Sequence, residues 1–347
     1  LSHRNKEAKN LMLRAIYCFL ILMLFCSHSA AIAQERNYLF ESSDVTITKA
    51  TINSKYSEYA PAFCGDGIIF TSNKPHAFGV ITIMESDSSS PDNLYFLPNK
   101  STQADFLEKL NTPLQEGTSS YDSTKRILYF TGNVKVKNQF VLGIFSSTRA
   151  ENGSWGKASP VLIPTDVFSY FHPCILNSGQ TLIVASDRKD GFGGIDLYRS
   201  ALEQGTWSEP VNMGESINGP YNEGYPSFCA PDYLIFSSTG HESMGGYDIF
   251  CCRLTPNHIG PPFPAGNGIN TASDDFGLIF DPVRRMGYFS SNRDQNTGDD
   301  IYEFRLHWPD FYNCIAYVEP RYCYSFSEEN SLESEDAELF YYQWDFG

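Results

Sequence analysis

The stretch Ser186-Asp187-Arg188-Lys189-Asp190-Gly191-Phe192-Gly193-Gly194-Ile195-Asp196-Leu197-Tyr198 decides the fold. Apolar and β-branched residues lead into it from Thr181, and Ile195 to Tyr198 leave it with alternating sides. It reads as two short strands joined by a Gly-rich turn. Gly193 and Gly194 permit φ above zero. Asp196, just beyond, is placed to accept hydrogen bonds from turn N–H groups.

The hairpin recurs. Leu234-Ile235-Phe236-Ser237-Ser238 leads to Gly245-Gly246-Tyr247-Asp248-Ile249-Phe250, and Gly287-Tyr288-Phe289-Ser290-Ser291 leads to Gly298-Asp299-Asp300-Ile301-Tyr302. Asp196, Asp248 and Asp300 follow one another at steps of 52 residues. A fixed period of this length with several strands per unit predicts propeller blades. Two weaker copies precede them. Ile68 to Asn73 pairs with Asp92 to Phe96 across a polar insertion. Ile127 to Asn133 pairs with Val141 to Phe145, where Gly143 takes the Asp position. Five blades result, or six if residues 97–117 hold a further degenerate unit. Residues 35–55, with Val45-Thr46-Ile47-Thr48 alternating most clearly, are read as a strand that closes the ring against the last blade, leaving no long exposed edge.

The N-terminus reads as a secretory signal over residues 1–33. Met12 is the natural initiator, Arg14 supplies charge, Ala15 to Cys26 is apolar, and Ala31-Ile32-Ala33 is a small-x-small cleavage pattern. The apolar run is too short for a membrane span, and no transmembrane stretch follows it. The whole chain carries a formal net charge of −16. Without residues 1–33, which hold four basic and one acidic residue, 21 basic and 40 acidic residues remain. That excess argues against nucleic acid or an anionic membrane as partner.

Seven cysteines follow residue 33. Cys64, Cys174 and Cys229 take similar early places in their repeats and read as core residues. Cys251 and Cys252 are adjacent on a strand and should face opposite sides. Cys314 and Cys323 flank a turn-like segment, where a cross-strand disulfide is plausible in an exported protein. His172, at the start of a blade, reads as structural. Asn292 to Asp300 has oxygen groups at alternating positions, as a calcium loop does, but its Gly is displaced and the closing Glu is missing, so it reads as an acidic turn.

The pattern Pro-x-Phe, Leu-x-Phe-Ser-Ser-x-Arg, Gly-Gly-x-Asp-Ile-Tyr resembles the WD40-like β-propeller repeats of the TolB type over about 250 residues. Phe340-Tyr341-Tyr342-Gln343-Trp344-Asp345-Phe346-Gly347 resembles the signature of PKD domains, which are immunoglobulin-like sandwiches. The fold class is therefore all-β, with a propeller over residues 34–308 and an incomplete PKD-like segment over 309–347. The combination is similar to cell-envelope proteins of the Bacteroidetes, some relatives of which carry an OmpA-like domain or belong to the type IX secretion and gliding apparatus. The resemblance implies an exported protein of a Gram-negative bacterium, in the periplasm or at the outer membrane.

The sequence holds no GxSxG elbow, HExxH helix or phosphate loop. Gly193, Gly194, Gly245 and Gly246 are assigned to the repeat structure, together with Asp196, Asp248 and Asp300. Arg188 and Arg293 take equivalent places, either bonding loop carbonyls and the repeat Asp or lining one mouth of the propeller. With Phe192 and Tyr221 they form the proposed partner surface. The resulting expectation is a non-enzymatic scaffold for another envelope protein, with no catalytic residue, cofactor or metal. The alternatives are a carbohydrate- or peptidoglycan-binding module, or a propeller hydrolase or lyase. Clustered carboxylates or imidazoles in the central channel would favour the enzyme.

Overall fold

The computed structural model describes residues 40, 42, 44–76, 90–176, 179–230, 232–255 and 258–307. The signal-like residues 1–33, the PKD-like tail, Cys314 and Cys323 lie outside the described residues. Among the described residues the structure is all-β, and no helix is long and apolar enough to cross a membrane.

Twenty-two strands form five antiparallel sheets. Blade 1 is Glu58–Cys64, Gly67–Ser72, Asn93–Pro98 and Asp105–Phe106. Blade 2 is Glu116–Asp122, Ile127–Val136, Gln139–Thr148 and Ser159–Leu162. Blades 3 and 4 start at Tyr170–Leu176 and Glu223–Ala230. Blade 5 is Asp275–Asp281, Met286–Ser291 and Asp300–Leu306, completed by Val45–Lys49 from the start of the described chain. This last pairing runs from Val45 opposite Leu306 to Lys49 opposite Tyr302 and closes the ring. Residues 97–117 hold the outer strand of blade 1 and the start of blade 2, so the blades number five.

The first strand of each blade lies innermost and touches the first strands of both neighbours, which makes the circle continuous. The second strands are buried over most of their central residues, and Gly67–Ser72 along its whole length, because a blade packs on either face. The run of successive apolar residues at their centres follows from that two-sided burial. The core consists of clusters between blades. Leu94 and Phe96 meet Leu128 and Phe130 between blades 1 and 2. Leu182 and Val184 meet Tyr129 and Ile144 between blades 2 and 3. Leu234, Phe236 and Cys252 meet Ile183 and Leu197 between blades 3 and 4.

A second ring of contacts fixes the order of the blades. Every first strand contains a bulge with positive φ at the same place: Ala60 (49°), Thr118 (28°), His172 (51°), Tyr225 (50°) and Gly277 (63°). The bulge turns that residue's N–H out of its own sheet and towards the preceding blade. Ala60 donates to Ser290 Oγ at 2.9 Å, Thr118 to Thr71 Oγ1 at 2.9 Å, His172 to Thr131 Oγ1 at 3.2 Å and Gly277 to Ser237 Oγ at 3.2 Å. Blade 3 has Ala185 where the other blades have a hydroxyl. There the Tyr225 N–H donates to His172 Nδ1 at 3.2 Å instead. His172 therefore replaces a missing hydroxyl. Burial pushes its pKa down to about 3, so it is neutral and can act as an acceptor.

Candidate functional site

The channel has two ends. At the upper end the first strands begin and the second strands pass into the third. Here blades 1, 2, 4 and 5 each carry a buried carboxylate at the start of the first strand. Glu58 accepts from the N–H and hydroxyl of Ser54, Glu116 from those of Thr112, and Asp275 from those of Thr271. Glu223 accepts from Gly219 N and Ser238 Oγ, and burial pushes its pKa up to about 7. These groups close the connections between blades and are structural.

Three other carboxylates at this end do not belong to that pattern. Asp92 precedes the third strand of blade 1, Asp274 precedes the first strand of blade 5, and Asp299 precedes the third strand of blade 5. Asp92 Oδ2 accepts from the Tyr59 hydroxyl at 2.8 Å and from Gln115 Nε2 at 2.9 Å. Asp274 accepts from Tyr247 N at 2.7 Å and from Asn292 Nδ2 at 2.8 Å. Burial, and then the charges of Asp274, Asp92 and Asp300, push Asp299 up to about 6. Burial also raises Asp92, against the opposing effect of its two hydrogen bonds. Like charges brought together in a partly desolvated mouth favour keeping a proton.

An aromatic floor lies among these acids. Tyr225 stacks on His172 with ring centres 3.8 Å apart, lies 4.7 Å from Phe276, and meets Tyr247 edge-on at 5.8 Å. Tyr59 is 6.2 Å from Phe276. Beneath Tyr225 the channel continues as a cavity of about 190 Å³ lined by Thr118, Ser119, His172 and Ser227. The lower end opens into about 570 Å³ walled by Phe63, Tyr121, Ile175, Phe228 and Phe280. That space is larger, but its charged lining is Asp281 and Arg284, which pair with each other at 3.4 Å. Among the described residues, carboxylates of raised proton affinity that no repeat contact explains come together at the upper end, which makes it the candidate active site.

The residues singled out in the sequence fall around this mouth. Asp196 accepts from the N–H groups of Phe192 and Gly193 and from Asn212 Nδ2. Asp248 accepts from Met244 and Gly245. Asp300 accepts from the Thr297 hydroxyl and pairs with Lys49 at 2.8 Å. The glycines correct one expectation. Gly193, Gly194, Gly245 and Gly246 are not among the positive-φ glycines. They are needed for close approach to the next connection between blades. A Cβ on Gly193 would meet Tyr221 O at 2.1 Å, and one on Gly245 would meet Ser273 O at 2.3 Å.

Both arginines are engaged within the chain. Arg188 bonds Asp190, Glu209 and Pro210 O and lies over Tyr198. Arg293 bonds Asp275 and Ile269 O and lies over Phe289 and Tyr302. Their side chains are only 19% and 21% exposed. Phe192 and Tyr221, by contrast, are 52% and 54% exposed. Within the Asn292 to Asp300 loop, the Lys49 ammonium lies 2.9 Å from Asp294, 3.3 Å from Thr297 Oγ1 and 2.8 Å from Asp300. Among the described residues no group of three or more His, Cys, Asp or Glu is arranged to hold a metal ion.

No protein-family model matches the chain, and the search of curated proteins finds no match. Solved structures with a similar arrangement do exist. The catalytic domain of an α-L-arabinofuranosidase from Coprinopsis cinerea is 11% identical, with 73% of this chain and 90% of that one covered and a TM-score of 0.44. The endo-arabinase of Bacteroides thetaiotaomicron is 12% identical, with 76% and 98% covered and a TM-score of 0.47. A prolyl endopeptidase is 16% identical with a TM-score of 0.36, and the chain spans 30% of its length. What these structures share with the chain is the fold, and no residue role is carried over from them. The chain is a five-bladed β-propeller repeat protein.

Two expectations are corrected here, the non-enzymatic scaffold and the absence of enzymatic activity. The three solved structures named above are described as enzymes. In addition, the chain's own upper mouth gathers carboxylates of displaced proton affinity, the feature named above as favouring the enzyme. Sequence reasoning missed Asp92, Asp274 and Asp299. The available signal was the doublets Asp274-Asp275 and Asp299-Asp300, in which one member does the structural work and the other is surplus to it.

Proposed function

We propose that the upper mouth is the active site of a glycan hydrolase. The observation that carries this reading is Asp299, whose pKa of about 6 stands next to the charges of Asp274 and Asp92. Cleaving a glycosidic bond needs one carboxyl that still holds its proton and one that has lost it. Asp299 fits the acid and delivers its proton to the departing glycosidic oxygen. Asp92 fits the base: among the described residues both of its hydrogen bonds fall on Oδ2, which leaves Oδ1 to take a proton from water as the hydroxide adds to the anomeric carbon. Asp274, the largest charge acting on Asp299, keeps that proton in place. Tyr59, Tyr225 and Tyr247 offer ring faces and hydroxyls to a sugar.

The charged, apolar and small-residue order of residues 1–33 supports export. The TolB-type repeat pattern and the PKD-like ending support a cell-envelope protein of the Bacteroidetes kind. The substrates within its reach would then be glycans of the envelope or its surroundings, peptidoglycan included. The test is reducing-sugar release from arabinan, xylan, β-glucan and peptidoglycan by the native protein and by Asp299→Asn. Release by the native protein and its loss in the variant support the reading. Equal release by both, or release by neither, removes it.

A further inference from the structure

The rim beside the acidic mouth carries a row of exposed apolar side chains. Among the described residues seven large hydrophobic side chains are exposed, and five of them lie at the upper end, Phe140 near the start of the strand Gln139–Thr148 and Val167, Phe192, Tyr221 and Met244 on loops. Their distribution follows the blades. Phe140 stands at the tip of the long hairpin of blade 2, Val167 between blades 2 and 3, Phe192 on blade 3, Tyr221 between blades 3 and 4, and Met244 on blade 4. The three surplus carboxylates come from the other side of the ring, on blade 1 and at blade 5. Apolar surface left in water costs free energy, so its concentration on the face that also bears the acids calls for an occupant.

The centre of the row is firmly built. Tyr221 O accepts from Gly194 N at 2.8 Å, and the Tyr221 ring lies so close to Gly240 that a Cβ there would meet it at 2.5 Å. The Phe192 loop, Tyr221 and the start of the blade 4 loop are therefore one rigid surface. A preorganised aromatic platform binds without a large ordering cost.

We propose that this row is the binding track of an extended, uncharged polysaccharide, which it leads from blade 2 across to the carboxylates at blades 5 and 1. The inference rests on the glycan reading and specifies its substrate as a neutral polymer. Two observations select that occupant. Rings and a methionine on successive upper loops suit the C–H faces of successive sugars, which have no charge to satisfy. Of the described cations on the loops that carry the row, Arg188 is bonded to Asp190 and Glu209 and Lys137 to Asp166, so Lys189 alone stands against the Asp92, Asp274 and Asp299 of the mouth beyond. A polyanionic glycan would be repelled along that path.

Affinity electrophoresis tests this in gels cast with xylan, arabinan or polygalacturonate. The proteins compared are native, Phe192→Ala with Tyr221→Ala, Asp299→Asn, and Val283→Ala, whose exposed side chain lies at the lower end. Native, Asp299→Asn and Val283→Ala proteins should be retarded in at least one neutral gel and run freely in polygalacturonate. The double variant should bind roughly tenfold more weakly, as loss of a stacking contact implies. Because both replaced side chains are exposed, its thermal transition should stay near the native one. Retardation of the double variant equal to native, retardation in polygalacturonate alone, or none in any gel overturns the track. If the track fails while Asp299→Asn still abolishes sugar release, the hydrolase reading stands without it. If Asp299→Asn keeps full release while the rings still govern retardation, the track stands and the assignment of the acid fails.

Discussion

The two ends of the channel are made from the same five strands and are chemically unlike. At the upper end the strands start with Glu58-Tyr59, Glu116, Glu223 and Asp275, and the neighbouring loops add Asp92, Asp274 and Asp299. At the lower end the same strands finish with Phe63-Cys64, Cys174-Ile175, Phe228-Cys229 and Phe280. Burial is used differently at each. Below, it stabilises thiols and rings that have no charge to lose; Cys174, for instance, is pushed up to about 12 by burial alone. Above, it acts on acids and makes them hold protons they would otherwise release. One end contributes stability, and the other gives some of it up for reactivity.

The largest effect that could break this contrast is at Asp299. Asp299→Asn should lower sugar release at least 100-fold, the usual worth of a positioned acid. It should also make the protein more stable at pH 8. The folded pKa of Asp299 lies above its unfolded value, so its contribution to stability is complete at pH below about 4 and disappears as pH rises through about 6. An amide has no such loss, and denaturant midpoints at pH 8 should report a gain of about 1–3 kcal/mol. A variant that lost activity and stability together would place Asp299 among the structural carboxylates instead.

The channel wall between the two ends gives the next effect. His172→Ala removes the acceptor of the buried Tyr225 N–H and should cost about 1–3 kcal/mol. Adding Ala185→Ser supplies the hydroxyl that four blades already have there and should restore part of the loss. Urea titration of the single and double variants would show whether the imidazole does the work of that hydroxyl.

At the lower end, Phe228→Ala should cost about 1–2 kcal/mol through lost packing, with the pH profile of sugar release unchanged. Lys49→Met should cost about 1 kcal/mol, because Asp300 is fully buried while Lys49 is open enough for solvent to screen much of the pair. Its effect should shrink as salt is added. Val283→Ser, exposed at the lower end, should stay within about 0.5 kcal/mol of native.

Repeats were the legible part of this chain. Leu182 to Val184 and the matching Ile68 to Phe70, Leu128 to Phe130 and Leu234 to Phe236 are apolar at successive positions because they are covered on both faces, and that constraint leaves a clear sequence pattern. The closing strand Val45–Lys49 alternates because one of its sides faces out. The inner bulges left no such trace. Ala60, Thr118, His172, Tyr225 and Gly277 have no side-chain chemistry in common, since the ring of bonds they make uses their backbone N–H groups. The paired glycines misled for a related reason, because their need is for space beside Tyr221 and Ser273 rather than for an unusual φ. The acids of the mouth were hidden by position. Asp92, Asp274 and Asp299 lie in connecting segments far apart in the chain, and only closure of the ring brings them together.

The central claim is that the upper mouth contains an acid poised for glycan cleavage, and the pH dependence of sugar release from a neutral polysaccharide tests it most directly. Release by the native protein should fall as pH rises through about 6, where Asp299 ionises, and should be absent from Asp299→Asn at every pH. A native profile that keeps rising above pH 7, or a variant with the same profile as the native protein, would contradict the account.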